Sequence, residues 1–133
     1  MEARLDGRNA VITGGSAGIG KAIAKSFLTS GANVSIVARR SEVLTAAKAE
    51  IEAQGAVTGT SGKVIALSAD IRNSEECEKV IAKTQAAFGH VDVLVNNAGT
   101  SQRGDFLEVS DEIWQDDLDL KLFSAVRLCR LVI

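Results

Sequence analysis

The chain has 133 residues, 46% of them hydrophobic and 24% charged, with a formal net charge of −2. That composition excludes wholesale disorder, and the small negative charge argues against a dedicated nucleic-acid binder. No apolar run is long enough to span a membrane and the start, MEARLDGRNA, has no apolar leader core, so the sequence predicts one cytoplasmic domain over 1–133. Proline and tyrosine are both missing.

The pattern along the chain alternates. Ala10–Thr13 is a short apolar run that ends in glycines. A helix is predicted over 18–30, with Ile19, Ile23, Phe27 and Leu28 at helical spacing and Gly31 as its stop. Val34–Ala38 is the second run. Ser41 is placed to cap a helix that runs to Gln54 and stops at Gly55. A flexible connection over 56–63 leads to the third run, Val64–Leu67. Asn73 with Glu76 resembles a capping box for a helix ending at Phe88-Gly89. Val91–Val95 is the fourth run, followed by a polar loop over 100–104. A last helix starts near Ser110, with Asp111 and Glu112 in its first turn. Trp114, Leu118, Leu122, Ala125 or Val126, and Cys129 form one stripe on it, so this helix packs on something, either internally or in a homo-oligomer through 111–133.

Apolar runs without alternation, separated by helices, predict parallel strands buried on both faces. Right-handed crossovers then give a doubly wound, three-layer α/β/α sheet of the Rossmann type. The run Leu128–Ile133 has neither stop signal nor polar tail, so the chain reads as the front part of a larger domain, with the C-terminal side of the sheet incomplete.

Four segments can carry chemistry, each at the carboxyl end of a predicted strand. Thr13–Gly20 reads TGGSAGIG between a strand and a helix. Its glycines Gly14, Gly18 and Gly20 permit a tight turn and close approach of a phosphate, with Ser16, Ala17 and Ile19 between them. Gly15–Lys21 also approaches a P-loop, but Ala22 stands where the metal-binding Ser or Thr is needed. Arg39 and Arg40 follow the second strand. An acidic residue there suits the 2′-hydroxyl of NAD; an arginine suits the 2′-phosphate of NADP. Residues 1–40 carry a local charge of +4, which favours the phosphate. Asp70, followed by Ile71, can accept from an adenine amino group or cap a turn. Asn96-Asn97-Ala98-Gly99 can tie neighbouring strands and meet a ribose, or form a plain turn. Cys77 and Cys129 belong to no C-x-x-C and form neither a disulfide framework nor a zinc site, and His90 has no neighbouring ligands, so no metal site is predicted.

TGGSAGIG, Asp70 and NNAG, in this order, resemble the short-chain dehydrogenase/reductase family across the whole chain. The resemblance implies hydride transfer between NAD(P) and a small carbonyl or alcohol substrate. It assigns Gly14–Gly20 to the pyrophosphate, Asp70 and Ile71 to adenine, and Asn97, Ala98 and Gly99 to the cofactor ribose and the sheet. Arg39 resembles the NADP-preferring members, so NADPH is favoured over NAD; Ala17 departs from them, since many carry a basic residue inside the glycine turn. Lys121 stands where the family places an Asn of the proton relay, and is carried as a catalytic candidate in an altered relay, the alternative being a plain surface lysine. A lysine lacks the amide's acceptor. The family's Ser and Tyr-x-x-x-Lys are not found, so the 133 residues alone are expected to hold cofactor without turnover. The alternative is a non-catalytic dinucleotide-binding or interaction module.

Overall fold

The four apolar runs become parallel strands because a helix after each returns the chain to the same end of the sheet. The computed structural model describes residues 3–100 and 103–133. Strand β1 is Asn9–Thr13, β2 Asn33–Ala38, β3 Val64–Ser68 and β4 Val93–Val95. They form one sheet in the order β3-β2-β1-β4. β1 pairs with β2 from Asn9↔Asn33 to Thr13↔Val37, and with β4 from Ala10↔Val93 to Ile12↔Val95. The chain steps outward from β1 to β3, then crosses back to the far side of β1. That reversal creates a topological switch point between β1 and β4.

Helices α1 (Gly18–Thr29) and α2 (Ser41–Thr58) cover one face; α3 (Ser74–Phe88) and α5 (Ser124–Val132) cover the other. Adjacent residues of β1 show why the strands carry no polar alternation. Ile12 packs with Leu28, Ile36 and Ile51, while Val11 packs on the opposite side with Val37, Val80 and Leu128. The architecture is therefore the three-layer, doubly wound Rossmann type, as expected.

Side-chain hydrogen bonds tie the amino ends of the strands together. Asn9 Nδ2 donates to the Phe88 carbonyl at 3.0 Å, and Asn33 Nδ2 donates to Asn9 Oδ1 at 2.9 Å. Asn33 Oδ1 accepts the Lys63 N–H at 3.0 Å. The Asp92 carboxylate accepts the Asn9 N–H at 2.8 Å and pairs with Arg8 at 3.2 Å. It is held below the usual carboxylate range, chiefly by the Asn9 N–H and then by Arg8.

Several boundaries differ from the sequence expectation. α2 does not stop at Gly55 but runs to Thr58, where Gly59 (φ +71°) takes the left-handed cap position. Gly55 is buried inside the helix because a Cβ there would lie 2.7 Å from Leu28 Cδ2 and 2.9 Å from Thr60 Cγ2. Its role is close helix packing, not termination. Ser41 lies in the first turn of α2 and caps nothing, since the N-cap residue is Arg40. Asn73 does cap α3, accepting from the Glu75 and Glu76 N–H groups, but Glu76 bonds the Asp70 N–H instead of closing the box. β4 begins at Val93, not Val91.

The last helix departs most. α4 (Asp111–Leu118) continues into α5 through a π turn over Asp119–Phe123. The extra residue of the wider turn shifts the helical phase. Leu120, Ser124, Leu128 and Val132 face the α3 side of the core. The predicted stripe does not: Trp114, Leu118 and Leu122 are 47%, 41% and 51% exposed. No helix among the described residues is long and apolar enough to cross a membrane.

Candidate functional site

The carboxyl ends of all four strands open on one cleft of about 650 Å³. The first wall is the turn after β1. Gly14 (φ +67°) turns the chain, and its N–H donates to the Val37 carbonyl at 2.8 Å. Gly18 (φ +52°) opens α1, with nothing within 4 Å of where a Cβ would stand, so its surface is free for a ligand. The N-cap of α1 is Ala17, whose side chain caps nothing, and no acidic residue occupies the first turn. The amide donors of that turn therefore face the cleft without a competing carboxylate, as an anionic ligand requires. Ser16 lines the same wall. Ile19, a cofactor candidate that also falls at helical spacing in α1, is 73% exposed and lines the cleft.

Gly20 does not line the cleft but makes the turn possible. A Cβ on it would meet the Gly14 carbonyl oxygen and Asn97 Nδ2, both under 3 Å. Asn97 is the fastener between the first and last loops. Its Nδ2 donates to the carbonyls of Thr13 (3.2 Å) and Gly14 (3.3 Å). Thr13 completes the tie: its hydroxyl lies 3.2 Å from the Val95 carbonyl and accepts the N–H groups of Asn97 and Ala98 at 3.0 and 3.1 Å. Sequence reading gave Thr13 no separate role; its partners lie more than 80 positions away. Asn97, Ala98 and Gly99 all line the cleft, whereas Asn96 turns away toward Cys129, with Nδ2 3.7 Å from its sulfur.

Arg39 and Arg40 stand at the end of β2, and both line the cleft. Arg40 is drawn loosely to Glu42 at 3.8 Å. Among the described residues, no carboxylate lies within 4 Å of the Arg39 guanidinium, which leaves its donors available to an anion. Asp70 and Ile71 line the next part of the wall. Asp70 is held below the usual carboxylate range, first by hydrogen bonds from the Arg72 side chain. Arg72 is a second residue that sequence reading missed, although it stands only two positions from Asp70.

Lys121 sits in the π turn, away from the cleft lining. Its Nζ lies 3.0 Å from one Asp117 carboxylate oxygen and 3.2 Å from the other. Its Cε lies 3.9 Å from where a Gly99 Cβ would stand, so the π turn places it against the NNAG loop. Of the polar loop over 100–104, Thr100 lines the cleft, while Ser101 and Gln102 lie outside the described residues.

The glycine cradle, the uncapped helix start, the arginines after β2 and the acid after β3 fit a dinucleotide laid across the strand ends. They define the class: a Rossmann-type fold with a ligand cleft at its switch point. Comparison with known proteins agrees. Residues 8–133 match the family described as short chain dehydrogenase. A short chain dehydrogenase of Pseudocercospora fijiensis is 34% identical over 100% of this chain and 42% of its own length. The 3-dehydrosphinganine reductase of Danio rerio is 37% identical over 98% of this chain and 39% of its own. Among solved structures, the L-sorbose reductase of Gluconobacter frateurii, complexed with NADPH and L-sorbose, superposes with a TM-score of 0.90. It is 36% identical, over 99% of this chain and 48% of that one. The chain thus spans less than half the length of these relatives. It belongs to the short chain dehydrogenase family, a family of oxidoreductases.

Proposed function

We propose that this chain is the cofactor-binding half of an NADP-dependent oxidoreductase acting on a small carbonyl or alcohol substrate. The observation that carries the reading is Arg39: a guanidinium with no ion-pair partner among the described residues, at the end of β2, on the wall of a cleft with an uncapped helix start. The first turn of α1 would hold the pyrophosphate through its N–H groups. Arg39, with Arg40, would hold the 2′-phosphate. Asp70 and Ile71 would meet the adenine, and Asn97–Gly99 the second ribose. The relatives support the substrate class only coarsely, since one is a sugar reductase and another a sphingoid reductase by name. When bound, the nicotinamide supplies hydride transfer. These residues bind and orient it.

Lys121 is read as an altered member of the proton relay. Fixed by Asp117 beside Gly99, it offers donors where the family's amide offers donor and acceptor. The sequence contains no tyrosine, so the family's Tyr-x-x-x-Lys is not among these residues. The 133 residues alone are expected to bind NADPH but not to reduce carbonyls. The exposed Trp114, Leu118 and Leu122 leave a face of the 111–133 helix open for a homo-oligomer contact.

The test is a fluorescence titration with NADPH and NADH. NADPH should bind at least about tenfold more tightly, one charge-assisted contact being worth roughly that factor or more. Arg39→Asp should abolish the difference. Equal affinities, unmoved by Arg39→Asp, would refute the preference.

A further inference from the structure

We propose that Arg72 is the positioning residue for the base-binding end of the cleft: it fixes the Asp70 carboxylate as an acceptor and ties it to the last helices. The inference rests on the dinucleotide reading above. Asp70 lines the cleft. Arg72 does not; it lines an adjoining cavity of about 90 Å³ with Asp116 and Asp117, whose other walls, Arg39, Thr100 and Leu120, also belong to the cleft. The guanidinium thus holds the carboxylate from beside the cleft, without itself forming the cleft lining.

The grip is a fork. Asp70 Oδ1 accepts from the Arg72 main-chain N–H at 3.1 Å and from Nε at 3.0 Å. Oδ2 accepts from Nη2 at 2.7 Å, with Nε at 3.2 Å as a shared contact. A carboxylate has about four lone-pair directions. Three donors serve the two oxygens, the main-chain N–H on Oδ1, Nη2 on Oδ2 and Nε shared between them, so the carboxylate keeps acceptor capacity for a ligand. The Asp70 main chain is held as well, its N–H donating to Glu76 Oε1 at 3.1 Å. A carboxylate fixed at both ends loses little freedom when an amino group arrives, and preorganisation of this kind appears as affinity. Arg72 also reaches onward. Its Nη1 lies 3.4 Å from Asp116 of α4, and its carbonyl accepts from Arg127 Nη1 of α5 at 2.9 Å. One residue thus joins the turn after β3 to both helices around the π turn. A lysine would supply the charge without the planar fork.

The experiment measures binding of two probes: NADPH and its hypoxanthine analogue, in which a carbonyl oxygen replaces the exocyclic amino group. The unsubstituted chain should prefer NADPH. Arg72→Ala should lower NADPH affinity about tenfold while changing the analogue much less. Arg72→Lys should fall between; it keeps the charge and answers the question even if the alanine variant folds poorly. In an Asp70→Asn background, Arg72→Ala should add less than about a twofold further loss, because the residue it positions has already been changed. Equal losses on both nucleotides would show a merely structural role and overturn the proposal. So would unchanged affinities, or fully additive losses in the double variant. If the unsubstituted chain binds neither nucleotide, the dinucleotide reading itself fails and the proposal goes with it, an outcome visible before any substitution is made.

Discussion

Replacing Gly20 by alanine tests whether the turn after β1 depends on close approach or on backbone freedom. A Cβ at Gly20 would stand 2.2 Å from the Gly14 carbonyl oxygen and 2.5 Å from Asn97 Nδ2. Comfortable separations are roughly 3.5 Å. The shortfall is about 1.3 Å at the Gly14 carbonyl, which is backbone and cannot rotate away, and about 1 Å at the Asn97 amide. Either α1 moves outward or the Gly14 turn opens. Both responses break the Asn97 bonds to the Thr13 and Gly14 carbonyls. Overpacking of this kind costs about 1–3 kcal/mol, and each lost hydrogen bond adds roughly 1 kcal/mol. A combined cost near ~3 kcal/mol, at roughly 3–5 °C per kcal/mol for this size, lowers Tm by about 10 °C or more. Gly18→Ala is the comparator. Gly18 has φ +52° but open space around its Cβ position, so alanine meets only left-handed strain of about 1–2 kcal/mol. The assay is thermal unfolding by far-ultraviolet circular dichroism without nucleotide. A Gly20→Ala chain melting within about 3 °C of the unsubstituted one, or above Gly18→Ala, would refute the reasoning.

Gly55→Ala should behave differently, although Gly55 is also buried in a helix. Its clashes are with the side-chain ends of Leu28 and Thr60 and not with backbone, and alanine gains up to about 1 kcal/mol of helix propensity. The same melts should shift by less than about 4 °C; a fall beyond about 8 °C would show that neither side chain can yield. For Asp92, the folded pKa is depressed by the Asn9 N–H and by Arg8. Its contribution is therefore present above the unfolded value near ~4 and is lost as pH falls through the lower folded value. Asp92→Asn should be less stable at neutral pH, yet lose less stability than the parent on acidification below about pH 4. Denaturant titrations across that range measure it, and parallel pH dependences of the two chains would reject the assignment.

What the sequence made legible was local. The glycine spacing of Thr13–Gly20, the apolar runs and the residues that follow them depend on neighbours a few positions away, and they locate the cleft and twelve of the thirteen cofactor candidates on its wall. Gly20 is the exception, because its partners Gly14 and Asn97 meet it only in the folded sheet. Thr13 and Arg72 were passed over for the same reason. The Thr13 hydroxyl finds its function more than 80 residues on, and the Arg72 fork closes only because the Asn73 N–H bonds the Asp70 carbonyl at 3.0 Å and curls the turn. Gly55 misled because a glycine near a helix end has two explanations, and the one that applied lay on another helix, at Leu28.

The π turn shows where periodicity itself fails. A count at 3.6 residues per turn from Trp114 puts Leu118 and Leu122 on one buried line. One extra residue in a turn rotates everything after it by about 100°, the angle that separates adjacent side chains on a helix. The observed core positions, Leu120, Ser124, Leu128 and Val132, keep a four-residue step but start from a different phase. Ser124 shows the accommodation: it is buried, and its hydroxyl donates to the Leu120 carbonyl at 2.5 Å. Lys121, inside the turn, stands against Gly99, and Leu122 beside it is exposed, whereas Trp114 and Leu118 are exposed on α4, ahead of the turn. The departure from helical register therefore accounts for the phase in which α5 meets the core, while the exposed Trp114 and Leu118 belong to the helix before it.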